Sequence, residues 1–283
     1  MKILVAGASG AIGKMLVPML VHEGHEVIGV TRKDHLAAEL RNMGARPVVL
    51  NVFDREAVFS ALRIEKPDTV IHQLTSLGAR DFAEHARIRR EGTRNLVDAS
   101  LEAGVNKMIA QSISWAYEAG IGPATEEDAL DLEAPLPRKT TVESVHALES
   151  AVAEMPAHVI LRYGQFYGPG TWYAPGNFIA EQVRQQQLPI TRGVSSFIHV
   201  EDAARAAVLA LQWPSGHYNI TDNEPASGTE WLPVYAGILG APVPPAQTGG
   251  EGWERGALNR KALQHGWMPR FESWREGFRH GLG

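Results

Sequence analysis

Three glycines at every third position, in Gly7-Ala8-Ser9-Gly10-Ala11-Ile12-Gly13, follow the apolar run Ile3-Leu4-Val5-Ala6 and open a helical pattern. Each meets a separate need of a dinucleotide pyrophosphate. The first permits a tight turn, the second lets backbone approach the phosphates, and the third lets a helix pack close to a strand. The helix start adds free N–H groups and about half a positive charge. Gly7, Ser9, Gly10, Ala11, Ile12 and Gly13 are therefore cofactor-binding candidates. The same glycines could serve a plain turn, but their place between strand and helix favours the phosphate loop.

Thr31-Arg32-Lys33 follows the second apolar run, Glu26–Val30. A carboxylate at this point would accept bonds from an adenosine ribose diol and repel a 2′-phosphate. A hydroxyl and two cations stand there instead, and an arginine can grip phosphate with two parallel bonds. Thr31 and Arg32 thus point to NADP in preference to NAD; a solvated basic turn is the plainer reading. Asn51 and Val52 after the third apolar run, and Gln73 after the fourth, complete the cofactor set.

Other chemistries are excluded by what is missing. The chain has no cysteine, which removes disulfides, thiolate zinc sites, iron–sulfur ligation and cysteine nucleophiles. Its histidines show no metal-ligand spacing, so no metal is expected. A net charge of −5 argues against a nucleic-acid partner. No apolar stretch reaches the ~18 residues a membrane span needs, and no signal-peptide core follows Met1, so a cytoplasmic protein is expected.

The elements that must position these residues follow from periodicity. Strand-like runs at Lys2–Ala6, Glu26–Val30, Pro47–Leu50, Thr69–His72 and Lys107–Ala110 alternate with helical patterns at Ala11–Glu23, Asp34–Met43, Asp54–Ile64 and Phe82–Ala103. Such alternation predicts an α/β fold with a doubly wound parallel sheet of the Rossmann kind. Asp34 and Asp54 read as helix N-caps, and Pro18 predicts a kink. A helix over 140–154, a strand Val159–Tyr163, a helix over 177–187 and another over 202–211 come next. After residue 163 the alternation fails. The expected division is a nucleotide-binding core over 1–163 and a smaller C-terminal substrate lobe over 164–283, with 197–220 returning to the core. The segment Gly240–Gly252, rich in Gly and Pro, reads as a long mobile loop.

With these residues in view, the chain resembles the extended branch of the short-chain dehydrogenase/reductase superfamily, the NAD-dependent epimerase/dehydratase group. The resemblance rests on the Gly7–Gly13 loop, Val70-Ile71-His72, Glu91-Gly92-Thr93-Arg94-Asn95-Leu96, and Leu161-Arg162-Tyr163 with Tyr167-Gly168-Pro169-Gly170. Phe197-Ile198-His199-Val200-Glu201-Asp202 and His265-Gly266-Trp267-Met268-Pro269 extend it across nearly the whole chain. It implies a homodimer paired through helices 82–103 and 140–154. It also makes His72 and His199 ordinary landmarks, with His199 and Asp202 organising a strand-to-helix junction.

The same resemblance implies a Tyr and, four residues on, a Lys that lowers the phenol's pKa and holds the nicotinamide ribose. Aligned through Glu149, that pair falls on Thr141 and Val145, which cannot do this work. The usual serine falls on or beside Ile113, between Ser112 and Ser114, and the usual asparagine is Arg89. The chain is therefore an atypical member. Arg89 either reaches the space the lysine would fill or is one more solvated charge in the run Arg87, Arg89, Arg90 and Arg94. Tyr117, His146 and Tyr163 are the candidate proton donors; His146 also suits helix packing, and Tyr163 a pocket wall. Ser112 joins Tyr117, Arg89 and His146 as the catalytic candidates.

The arginine that clasps a sugar diphosphate in the resembling enzymes is Ser195 here. Trp115, Trp172 and Tyr173 stand in loops that, by the same resemblance, flank the nicotinamide, and with Tyr163 they are the substrate candidates. Aromatics there suit a small apolar or aromatic molecule, although core packing would also use them. The function expected is an NADP-dependent oxidoreductase of a small carbonyl or alcohol with an atypical proton donor. The alternatives are a non-catalytic NADP-binding sensor or a relative of sugar-nucleotide epimerases and dehydratases.

Overall fold

β-Branched and apolar runs make the strands, and amphipathic segments make the helices between them. The computed structural model describes residues 1–76 and 81–283. In chain order the elements begin with β1 (Lys2–Ala6), α1 (Ala11–His22), β2 (Glu26–Thr31), a 3₁₀ turn Asp34–Leu36, α2 (Ala37–Asn42), β3 (Arg46–Val49), α3 (Arg55–Glu65) and β4 (Thr69–His72). They continue through α4 (Phe82–Arg87), a wide π turn Ile88–Gly92, α5 (Thr93–Glu102), β5 (Lys107–Ile113), α6 (Arg138–Val152), β6 (Ala157–Tyr163), β7 (Gln165–Tyr167) and α7 (Phe178–Arg184). The last are β8 (Val194–Ser195), β9 (Phe197–His199), α8 (Val200–Leu209), β10 (Gly216–Ile220), β11 (Ala226–Ser227), α9 (Gly228–Ile238), α10 (Arg260–Gln264) and α11 (Trp274–His280).

Seven strands form one sheet in the order β10-β6-β5-β4-β1-β2-β3. β1 pairs in parallel with β2 and with β4, β2 with β3, and β4 with β5. The strand order therefore reverses between β1 and β4. At such a reversal the connections leave in opposite directions and open a crevice beyond the strand ends, where doubly wound sheets bind ligands.

Helix starts and courses agree with expectation in part. Asp54 caps α3 as expected, its Oδ1 accepting from the Ala57 N–H at 3.0 Å. Asp34 does not cap: it lies inside the first turn of a 3₁₀ segment whose cap position is Lys33. The long helical pattern from Phe82 is a single course interrupted by the π turn, which widens the helix locally and rotates every later side chain. α1 runs from Ala11 to His22 through Pro18 as one helix.

The chain divides into two units of dense internal contact. The first comprises residues 1–112, 132–161 and 204–217; the second comprises 113–131, 162–203 and 218–283. Residues 113–131 thus group with the second unit, and of 197–220 only 204–217 group with the first. The core of the first unit is aliphatic, with Leu4, Ile28, Val58, Leu62, Val70, Val97, Met108 and Ile160 at its centre. The core of the second is aromatic: Tyr167, Tyr173, Phe197, Trp231, Tyr235, Trp274 and Phe278 pack together. Strands crossed by helices bury aliphatic faces; short irregular elements cover more area per residue with rings.

Within the second unit, β7 pairs with β9 and β8 with β11. Asp202 fixes the chain beyond α10, its carboxylate accepting from the backbone N–H groups of Arg270 at 2.7 Å and Phe271 at 3.1 Å. His199 Nδ1 accepts from Glu201 N–H, which leaves Nε2 as the donor to the Gly281 carbonyl at 2.9 Å. Both side chains are engaged with backbone groups at a strand-to-helix junction.

Candidate functional site

The glycine loop of the first unit sits at the β1/β4 reversal. Gly7 has φ +94°, and a Cβ there would lie 2.6 Å from the Gln73 carbonyl oxygen. At Gly13 a Cβ would meet the Gly7 and Ala8 carbonyl oxygens at 2.4 Å. Gly10 is the N-cap of α1 and offers no side-chain cap, and the first turn holds no acidic residue. The helix start therefore keeps unsatisfied N–H donors and an uncompensated positive end, in a cradle that side chains would fill. These features fit a dinucleotide pyrophosphate.

Ser9 and Thr31, both candidates, meet directly: their hydroxyls are 3.2 Å apart, and Thr31 Oγ1 accepts from the Lys33 N–H. Asn51 Oδ1 accepts from Phe53 N–H, and the Val52 carbonyl accepts from Asn95 Nδ2 at 3.0 Å. Gln73 N–H donates to the Ala6 carbonyl at 2.8 Å, which ties β4 to β1 beside the loop. Arg32 is half-exposed and its guanidinium pairs with Glu84, which also accepts from Ser76 Oγ. The bond from Arg32, then that from Ser76, holds the Glu84 carboxyl below the usual range.

Arg89 is not a surface charge. It is only 6 % exposed, within the π turn, and its Nη1 donates to Ser144 Oγ at 3.3 Å. Among the described residues this is its single hydrogen bond, so the fork keeps donors in reserve. Ser144 precedes Val145, which is fully buried. Arg89 thus reaches α6 beside the position where the resemblance placed a lysine. Burial lowers its pKa to about 10, with the Glu149 charge opposing the fall, so it stays a cation at neutral pH.

Glu149, one turn further along α6, is itself buried; Oε1 accepts from Ser112 Oγ at 2.6 Å, and Oε2 lies 3.4 Å from His217 Nε2. Ser112 and Arg89 are thereby gathered around one face of α6, while His146 is exposed on the same helix. In the sequence Glu149 serves only as an alignment point. Its burial is the signal, and the pattern of a single helix does not display it. In the same unit, His72 is held down to about 4 and His85 to about 3, each by burial first and the Arg89 charge second. Both rings accept through Nδ1, His72 from Leu74 N–H and His85 from Ser76 N–H.

The second unit holds the remaining candidates. Tyr117 is buried; its OH donates to Asn219 Oδ1 at 2.6 Å and accepts from Arg162 at 3.0 Å. Tyr163 OH donates to the Ala203 carbonyl at 3.3 Å. Tyr173 stands within the aromatic core, its OH pushed up in pKa by burial, and Trp172 packs edge-on to Phe178. Trp115 differs, because it lines a cavity of about 150 Å³ together with Ser114, Gln165, Ser195, Trp253 and Glu254.

Sequence reasoning passes over Trp253 and Glu254. They follow the segment Gly240–Gly252, which is not free-standing: Ile190 N–H bonds to the Pro245 carbonyl, Gln247 N–H to that of Ile190, and Arg192 N–H to that of Gly249. A tryptophan directly after a Gly-rich stretch was the available signal.

A model of the NAD dependent epimerase/dehydratase family matches residues 3–221. A 3-diazoavenalumate denitrifying reductase from Streptomyces sp is 43% identical over 304 residues, covering 98% of this chain and 99% of that protein. A 2-alkyl-3-oxoalkanoate reductase from Stenotrophomonas maltophilia (strain K279a) is 27% identical over 259 residues, 86% of this chain and 77% of that one. Among solved structures, a UDP-glucose 4-epimerase of Thermus thermophilus in complex with NAD superposes with a TM-score of 0.75 at 27% identity, covering 100% of this chain and 98% of that one.

Proposed function

The chain belongs to the NAD dependent epimerase/dehydratase family, and from that premise we propose that it is an NADPH-dependent reductase of a small apolar or aromatic molecule whose reduction takes no proton from the protein. The observation that carries this reading is Val145, fully buried in α6 where the family resemblance asks for a lysine, four residues after Thr141 in place of the tyrosine. A ketone reduced without such a pair leaves an alkoxide with no paired acid on α6 to protonate it. A substrate whose leaving group departs as a neutral molecule needs no proton.

The 43%-identical relative is named for a diazo-bearing carboxylate and for loss of nitrogen, and such a group held on an arene as a cationic diazonium is a substrate of that kind. When bound, reduced nicotinamide supplies a hydride. At a diazonium carbon the new C–H bond forms as the C–N bond breaks, and the C–N electron pair leaves with N₂. Charge balances with no acid or base.

The residues of this chain then have binding work to do. Gly7, Gly10 and Gly13 with the α1 start hold the pyrophosphate, and Ser9 and Thr31 flank the adenosine side. Arg32 reads the 2′-phosphate, which sets NADP above NAD. Arg89, with donors in reserve, takes the ribose-holding part of the lysine. Ser112, oriented by Glu149, adds a hydroxyl to that cluster beside Ser144. Two copies pair through α4–α5 and α6, giving a particle of twice the 30.9 kDa chain mass.

The test is a substrate panel with NADPH, monitored by loss of nicotinamide absorbance and by gas evolution. An arene diazonium should be consumed with one N₂ per NADPH, while ketones, aldehydes and enones stay inert. Turnover of carbonyls alone would overturn the reading. Tight NADPH binding with no turnover of any compound would replace it with the sensor.

A further inference from the structure

The cavity of the second unit carries a charge its lining does not neutralise. Glu254 is on its wall, and Oε2 accepts from the Glu251 N–H at 2.7 Å, which anchors the carboxylate. Among the described residues Glu254 forms no ion pair, and no Lys, Arg or His lines the cavity. Gly193 makes room for it: a Cβ at that position would stand 2.6 Å from the carboxylate carbon and 2.7 Å from both oxygens. A side chain there would push the carboxylate out of this position.

The rest of the lining fits the same ligand. Ser195, where the resemblance implies an arginine, is uncharged, so no cation at that position offsets Glu254. Trp115 and Trp253 supply indoles, which attract cations through the ring quadrupole and stack on flat rings. A volume of about 150 Å³ is that of a cavity known to take one benzene-sized ring.

We infer that this cavity binds a small aromatic cation, with Glu254 as the residue that selects its charge. The identification of the natural ligand as a diazonium rests on the reductase reading; the preference for a cation does not. A half-buried carboxylate favours a bound positive charge by Coulomb attraction and by charge-assisted hydrogen bonding.

Calorimetry with three unreactive ring compounds of similar size separates the two. Benzylammonium, benzyl alcohol and benzoate differ in charge and not in ring. The wild-type protein should bind benzylammonium about tenfold more tightly than benzyl alcohol, the increment of one charge-assisted bond, and benzoate least. Glu254→Gln should abolish the difference between cation and alcohol. Ser195→Arg, which puts a cation on the same wall and leaves Glu254 in place, should shift preference toward benzoate. Equal binding of the three by wild-type protein, or an unchanged order in E254Q, overturns the inference. Because none of these compounds is reduced, failure of diazonium turnover leaves the result intact, and the reductase reading can survive a cavity without charge preference.

Discussion

The glycine loop and the inner face of α6 lie in the same unit and are built on opposite principles. The loop works through absent side chains: at Gly7 and Gly13 any Cβ would strike a carbonyl oxygen at 2.6 Å or less. The α6 face works through whichever side chains arrive there, and they arrive from separate segments, Ser112 from β5, Arg89 from the π turn and Glu149 from α6 itself. A backbone cradle tolerates almost no variation. A side-chain cluster can exchange its members as long as charge and hydrogen bonds close. On that contrast the loop is the part that residue type must fix, and the α6 face is the part where Thr141 and Val145 can stand where the resemblance implies a Tyr and a Lys.

The contrast breaks first at Gly13. Gly13→Val should cost about 5 kcal/mol or more, since relief requires moving two carbonyl groups at the β1–α1 junction. Urea denaturation should show little folded protein. A variant of near-native stability would mean that the cradle is soft. Val145→Lys probes the other region. A lysine buried beside the Arg89 cation should cost about 3–5 kcal/mol. In an Arg89→Ala background the same change should cost at least ~1 kcal/mol less, because the like charge is gone and Glu149 remains as a partner. Equal costs in both backgrounds would separate Arg89 from the lysine position.

Acid sharpens the comparison further. His72 and His85 are neutral in the folded protein at about pH 4 and above, whereas in the unfolded chain they take protons near 6.5. Between these values the unfolded state binds more protons, so stability rises with pH across about 3 to 6.5 and is lost as pH falls through it. The loss is read as the pH dependence of the denaturation midpoint. Arg89→Ala removes one cause of the depressed values and should make the profile shallower. An identical slope in the variant would show that burial alone holds the imidazoles neutral.

Much of this is legible in residue order. The first four strands come out within a residue or two at each end, because buried parallel strands carry continuous apolar runs such as Ile3–Ala6 and Val70–Ile71. The loop is legible because glycine identity and spacing are read directly from the sequence, and the structure then shows why Gly7 and Gly13 have no room for a Cβ. Arg89 is recognisable as odd but not as buried: its run of arginines looks like a solvated helix face, and it is buried within the π turn. Asp34 looks like a cap because cap preference is read from type alone, and a 3₁₀ turn shifts the register by one. In the second unit the packing of Tyr173 and Tyr117 is not legible, because loop aromatics have no periodicity to separate core from ligand contact. Glu254 is invisible for a simpler reason: the cavity it lines is assembled from separate segments, with Trp115 and Ser195 far from it in sequence.

The smallest effect concerns the rim of the loop, where cradle and side-chain logic meet. Wild-type protein should bind NADPH at least about tenfold more tightly than NADH, the worth of one charge-assisted contact, and Arg32→Ala should erase the difference. Glu84 already occupies that guanidinium, and a half-exposed pair of this kind is worth about 0.2–1 kcal/mol. Glu84→Gln keeps the side chain's shape and removes its charge, so it should widen the NADPH preference by roughly two- to fivefold without altering NADH affinity. Fluorescence titration of the two cofactors measures both. A ratio unmoved by Glu84→Gln and by Arg32→Ala would assign Arg32 to holding α4 against the β2 turn, and would leave the nucleotide cradle indifferent to the 2′ position.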